Sequence, residues 1–98
     1  MAQIVIVAKV TIKEEFIQEV YPLLESLHKS THANDFGCIQ YDLHKDLENP
    51  NSFTFVETWE NTELLDAHMQ KEHFLSFVKN VENKLENLEI SKLEKKEL

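Results

Sequence analysis

Residues Cys38–Trp59 read CIQYDLHKDLENPNSFTFVETW. Two runs rich in β-branched and aromatic side chains, Cys38–Lys45 and Ser52–Trp59, flank the turn-forming cluster Asp46-Leu-Glu-Asn-Pro-Asn51. The pattern is a β-hairpin with a loop a little longer than the tight two-residue types. Placing Asp46 opposite Asn51 sets its register. Cys38, Gln40, Asp42 and His44 then share one face with Phe53, Phe55, Glu57 and Trp59. Ile39, Tyr41 and Leu43 share the other with Thr54, Val56 and Thr58.

Upstream, Gln3–Ile12 is rich in Val and Ile and reads as a buried strand. Thr11-Ile-Lys-Glu14 has the spacing of a capping box, which predicts a helix starting there. Phe16, Val20, Leu23, Leu24, Leu27 and Thr31 recur at helical spacing to about His32. Pro22 inside this helix lacks an N–H and crowds the carbonyl of Gln18, so a kink or bulge is expected there rather than a break. Asn34-Asp-Phe-Gly37 ends the helix with turn chemistry.

Downstream, Asn61 or Thr62 caps a short helix carrying Leu64, Leu65 and His68. A second helical segment runs from about Glu72 to Leu85, with Phe74, Phe77, Val78, Val81 and Leu85 on one stripe. Leu88 and Ile90 alternate with Glu89 and Ser91 in a short last strand ending near Leu93. The charged tail Glu94–Leu98 is expected to fray.

The order is β-α-β-β-α-β with the second helix broken in two. It places the chain in the α+β class, with a ferredoxin-like arrangement of an antiparallel sheet and helices on one face. In the register above, the uncovered face carries Phe53, Phe55 and Trp59, too much aromatic surface for a monomer to expose. Sheet-to-sheet pairing of two copies would bury it, so a homodimer is expected.

The 98 residues make room for one domain, 1–98. Ten Lys and no Arg stand against 18 Asp plus Glu, for a net charge of −8. An acidic, arginine-free surface is a poor match for a phosphate backbone or an anionic bilayer, so neither nucleic acid nor a membrane is an expected partner. The single Cys38 cannot form an internal disulfide and fits a reducing compartment. Lys9 interrupts the one N-terminal apolar run, and no stretch approaches the ~18 apolar residues of a membrane span, so the expected location is cytoplasmic. A chain with one Gly cannot build a glycine-rich phosphate loop. Cys38 has no base beside it in sequence and reads as an inert buried thiol.

From Gly37 to Phe77 the chain resembles the antibiotic biosynthesis monooxygenase (ABM) family of small dimeric α+β barrels. The resemblance is carried by Gly37-Cys-Ile-Gln-Tyr41, Asn49-Pro-Asn51, Val56-Glu-Thr-Trp59, and Asp66-Ala-His68 followed by His73-Phe74. It implies a cofactor-independent monooxygenase of the quinol-oxidising kind, acting on a phenol, quinol or similar aromatic with O2. An electron-rich phenolate can itself reduce O2, so such a protein must hold the substrate in a dry pocket, take a proton and return one later.

His68 is the candidate proton carrier. It follows Leu65 by three residues and Leu64 by four, which projects it from the apolar face of its helix toward the sheet. The alternative is a core histidine satisfied by a backbone carbonyl. Glu57 is a carboxylate among aromatics, either raised in pKa by desolvation and catalytic or paired with a Lys or His of a second protomer. Trp59 is a core or dimer-interface residue, or a candidate substrate platform. Tyr41, under the helices, is placed to line the same cavity as His68, or is an ordinary buried tyrosine. His73 completes the pocket candidates.

Haem-degrading members of the fold family use an Asn, a Trp and an axial His where this chain has Ala8, His68 and Val78, so haem is not expected. Branches acting on quinols and on the phosphorylated signal autoinducer-2 share the Glu57, His68 and His73 positions, but the absence of Arg weakens a phosphate-bearing substrate. His28 and His32 have the i, i+4 spacing of a metal pair, yet no third ligand follows at useful spacing. His68 and His73, five apart, would not chelate from one continuous helix. No metal is expected. The rival classes are a non-enzymatic small-molecule-binding stress-response dimer, and an isomerase or signal-processing enzyme on the same fold.

Overall fold

In the computed structural model, which describes residues 3–98, β1 (Ile4–Ile12), β2 (Cys38–Lys45), β3 (Ser52–Trp59) and β4 (Leu85–Glu94) form one antiparallel sheet. Its order is β2-β3-β1-β4, that of a ferredoxin-like fold. Three helices, α1 (Ile17–Asn34), α2 (Thr62–Met69) and α3 (Glu72–Asn80), pack on one face of it. No helix among the described residues is long and apolar enough to cross a membrane.

The period-two alternation of β1 puts Ile6, Ala8, Val10 and Ile12 in the core. Their partners across the ladder are Glu57, Phe55 and Phe53 of β3, so all of these lie on the helix-covered face. The helical stripe Val20, Leu24, Leu27 and Thr31 of α1 is buried against them. Phe53 meets Tyr21 of α1 with ring centroids 5.0 Å apart. Burying one such phenylalanine contributes about 1.5–3 kcal/mol by area alone.

The hairpin register differs by one residue from the sequence expectation. Asp46 closes the hairpin against Ser52, not Asn51, through a 3.1 Å bond from its N–H to the Ser52 carbonyl. The cause is local. Asp46 Oδ1 accepts from the N–H groups of Glu48 and Asn49, at 2.8 and 3.1 Å, and this side-chain turn absorbs one more residue into the loop. Tyr41 therefore stands opposite Glu57, and Leu43 opposite Phe55, until an irregularity between Cys38 and Gln40 restores Cys38 opposite Trp59.

A one-residue shift exchanges faces. Phe53, Phe55, Glu57 and Trp59 are buried under the helices with Tyr41, and are not on the open face. The open face instead carries Val5, Val7, Thr54 and Val56, all half-buried. The aromatic surface that argued for a homodimer is thus already covered within one chain.

Two element boundaries also move. Thr11 belongs to β1, and its hydroxyl bonds Ser52 Oγ at 2.9 Å instead of capping a helix. The helical stretch begins as a 3₁₀ turn at Glu14–Phe16 without a side-chain cap, and α1 continues unbroken through the exposed Pro22. At the other end α3 stops at Asn80, because Asn83 takes a left-handed conformation (φ 65°) that reverses the chain. Leu85 then opens a ten-residue β4, longer than the pattern predicts and reaching Glu94. Asn61 caps α2 as expected, its side chain accepting from the Leu64 N–H at 2.9 Å.

Candidate functional site

A cavity of about 220 Å³ lies between the sheet and the helices. Ala8, Phe55 and Leu65 supply apolar walls, and Tyr41, Glu57, His68 and Lys92 its polar groups. One side stays open: Val78 of α3 and Leu88 and Ile90 of β4 line it while remaining exposed. A dry apolar cavity of about 150 Å³ holds a benzene ring, so this one accommodates a single substituted ring.

α2 delivers His68 to the wall. Its buried residues are Leu65 and His68, three apart on one face, and His68 is only 2% exposed. Nδ1 of His68 donates to Oδ2 of Asp35, whose side chain is 1% exposed. A carboxylate only accepts, so the proton of the neutral imidazole sits on Nδ1 and the lone pair on Nε2. Nε2 is buried and has no partner among the described residues. Desolvation lowers the His68 pKa below its ordinary 6.5 despite the opposing pull of Asp35. The ring is therefore neutral at pH 7 and equipped to take a proton at Nε2.

The second oxygen of Asp35 faces His73, with Oδ1 and Nε2 2.9 Å apart. Asp35, His68 and His73 each bring a ligand atom within 4.8 Å of the others, so this group too could receive a metal. His68 Nδ1 occupies one carboxylate oxygen, whereas Oδ1 and His73 Nε2 stand in ion-pair contact without forming a hydrogen bond, so both atoms are left unpartnered among the described residues. His73 lines a separate surface depression of about 130 Å³ with Ser26, Ser30 and Asn80.

β3 supplies Glu57, 6% exposed, two residues from the fully buried Trp59. Glu57 Oε1 accepts from Trp59 Nε1 at 3.0 Å. Desolvation pushes the Glu57 carboxyl up to about 7, the Trp59 bond opposing. It is thus balanced between acid and carboxylate near neutrality, on the cavity wall. Tyr41 packs edge-on to His68 with centroids 5.5 Å apart. Burial and the Glu57 charge push its phenol well above 10, so it is a hydrogen-bonding wall group. Cys38 is pushed up to about 11 by desolvation, then by Glu57, Asp35 and Asp42, which keeps it a thiol.

Of the five residues singled out from sequence, Tyr41, Glu57 and His68 line one cavity. Trp59 lies behind it, stacked on His68 at 4.6 Å between centroids. His73 is on the far side of Asp35. Glu57 and Trp59 bond to each other under the helices, where the expected register had set them on the opposite face from Tyr41.

The residue that sequence reasoning missed is Asp35, read only as part of a turn. One signal was available: it caps the C-terminus of α1, where the helix dipole disfavours an acid. A carboxylate held against that preference by two histidines is a local rule broken at a site.

The fold and site define a ferredoxin-like domain with a small apolar cavity and a carboxylate-oriented histidine on its wall. The antibiotic biosynthesis monooxygenase family profile matches residues 3–80, and the chain belongs to that family. It is 32% identical over 75 residues to the uncharacterised protein sll1783 of Synechocystis, covering 76% of this chain and 50% of that one. It thus spans half the length of that relative. YcnE of Bacillus subtilis, which carries a provisional monooxygenase name, is 31% identical over 75 residues, covering 76% of this chain and 78% of that one. The crystal structure of PA3566 from Pseudomonas aeruginosa shares the fold with a TM-score of 0.91 at 29% identity, covering 99% of this chain and 97% of that one.

Proposed function

We propose that the chain is a cofactor-independent monooxygenase that oxidises a small phenol, quinol or similar aromatic with O2. The observation that supports this best is the pairing of His68 Nδ1 with buried Asp35, which leaves Nε2 unpartnered on the wall of an apolar cavity.

The chemistry closes without an external reductant. A quinol and O2 give a hydroxyquinone and water: one oxygen atom enters the ring as a new C–O bond, the other leaves as water, and the substrate supplies all four electrons. His68 Nε2 takes the phenolic proton, and Asp35 stabilises the imidazolium so formed. The phenolate reduces O2, the ring and reduced oxygen combine to a hydroperoxide, and cleavage of its O–O bond needs a proton at the departing oxygen. His68 returns it. Glu57, with a carboxyl near neutrality, donates a hydrogen bond to the second ring oxygen. The dry walls protect the intermediates from water. Among the described residues Lys92 is the one lysine on the lining, which disfavours a phosphorylated substrate.

The same reading includes a cytoplasmic homodimer. Leu88 and Ile90 of β4 are 50% and 61% exposed at the open side of the cavity, and the sheet face bearing Val5, Val7 and Val56 has no cover. A second copy laid on that face buries it, while the cavity opens beside Leu88 and Ile90 on the opposite, helix-covered side.

The test is O2 uptake over a panel of quinols and polyphenols, with each compound's autoxidation rate subtracted, comparing the parent protein with His68→Ala. Protein-dependent uptake that collapses in the variant is expected. Saturable binding of aromatics with no uptake across the panel would overturn the oxygenase in favour of a binding module, and turnover without O2 in favour of an isomerase.

A further inference from the structure

Outside the cavity, α1 and the edge strand β2 bring His28, His32 and Asp42 together. Each offers one ligand atom within 4.8 Å of the other two. The imidazoles of His28 and His32 sit edge to face, 4.5 Å between centroids, on one side of the helix. The sequence lacked only a third ligand for this i, i+4 pair, and the fold supplies it from the neighbouring strand.

The surroundings have the form of a second coordination shell. His32 Nε2 lies 2.7 Å from the carbonyl oxygen of Tyr41, which can only accept, so Nε2 carries the proton and Nδ1 keeps a free lone pair. A metal-binding imidazole is oriented in this way by giving its other N–H to a carbonyl. Asp42 Oδ2 accepts from Gln40 Nε2 at 3.0 Å, and Gln40 Oε1 accepts from Thr58 Oγ1 at 2.8 Å. That chain fixes the carboxylate and leaves Oδ1 free. We propose that His28, His32 and Asp42 form a binding site for a divalent transition metal of the Zn²⁺ class, clipping α1 to the free edge of β2.

The donor set of two imidazoles and one carboxylate suits Zn²⁺, with water as a fourth ligand, because His32 and Asp42 are exposed and His28 half-buried. Zn–N distances of about 2.0–2.1 Å place tetrahedral ligands about 3.3 Å apart, so from separations within 4.8 Å the side chains close by at most roughly 1.5 Å on binding. Ordinary rotamer adjustment at the surface allows this. The net charge of −8 favours cation capture. The site stands apart from the Asp35–His68–His73 group and does not depend on the proposed oxygenase activity.

The experiment is titration of untagged, chelator-treated protein with ZnCl2 by calorimetry, together with thermal unfolding at each metal level. One ion per chain is expected, with a thermal midpoint that rises with Zn²⁺. His28→Ala and Asp42→Asn should each weaken binding at least tenfold, while His73→Gln leaves it unchanged. Circular dichroism in chelator confirms that each variant folds. Absence of saturable binding would overturn the proposal. So would affinity unchanged in His28→Ala and Asp42→Asn, or loss of the ion in His73→Gln, which would place it on Asp35.

Discussion

Asp35, which closes α1, accepts from the imidazole of His68 thirty-three residues further along the chain. That bond sets the tautomer of His68 and directs its free nitrogen away from the carboxylate. The expected consequence is a specific defect in Asp35→Asn. The amide keeps the size of the side chain but no longer stabilises a charged ring. Under the proposed oxygenase reading, the rate at pH 7 should fall about 10²–10⁴-fold with a near-unchanged fold, checked by steady-state O2 uptake and circular dichroism.

The rate should also report the protonation of His68. Its pKa lies below 6.5, so the base is available at neutral pH and the acidic limb falls below that value, while loss of the Glu57 proton through about 7 gives an alkaline limb. A pH–rate profile whose acidic limb sits above 6.5 would assign the proton transfer to another group.

Glu57 makes stability depend on pH in the opposite sense to an ordinary acid. Its unfolded carboxyl titrates near 4.5 and its folded one near 7, so the folded chain holds the extra proton between them. The contribution is complete below 4.5 and is lost as the pH rises through about 7, a change of about 3 kcal/mol. The depressed His68 pKa acts the other way, its contribution being present above 6.5 and lost on acidification. Urea unfolding of the parent and Glu57→Gln from pH 4.5 to 8 separates the two. The variant should gain relative stability as the pH rises.

Gly37 permits the turn that carries Asp35. Its φ is 83°, and a Cβ there would run into the side chain of Leu64. Gly37→Ala should therefore cost about 1–3 kcal/mol from backbone strain, with the collision in addition. At about 4–8 °C per kcal/mol for a domain of this size, the loss is easily read in a thermal melt.

Val7 lies at the centre of the open sheet face, between Val56 and Ser91. If a second copy covers that face, Val7→Asp buries an unpaired charge between the two sheets and shifts sedimentation from dimer to monomer. Sedimentation unchanged in the variant would show that the copies meet elsewhere.

Much of the site was legible residue by residue. His68 follows Leu64 and Leu65 at helical spacing, and that alone turned it inward. Tyr41 was correctly set beneath the helices. Glu57 and Trp59 were placed on the wrong face because the Asp46 side chain adds one residue to the loop, and a shift of one inverts every side chain of a strand. His73 is a pocket candidate through the family resemblance, but the break before α3 turns it to the other oxygen of Asp35.

The sequence by itself determined the elements and their order, since periods of 2 and 3.6, the Asn61 cap and the Asn34–Gly37 turn are written in neighbouring residues. Tertiary structure alone decided the hairpin faces, the joining of Asp35 to His68 and the meeting of His28 and His32 with Asp42. These pairs lie on separate elements, and their approach depends on how α1 settles over the sheet. Packing of the whole core sets that distance, and no local pattern in the chain records it.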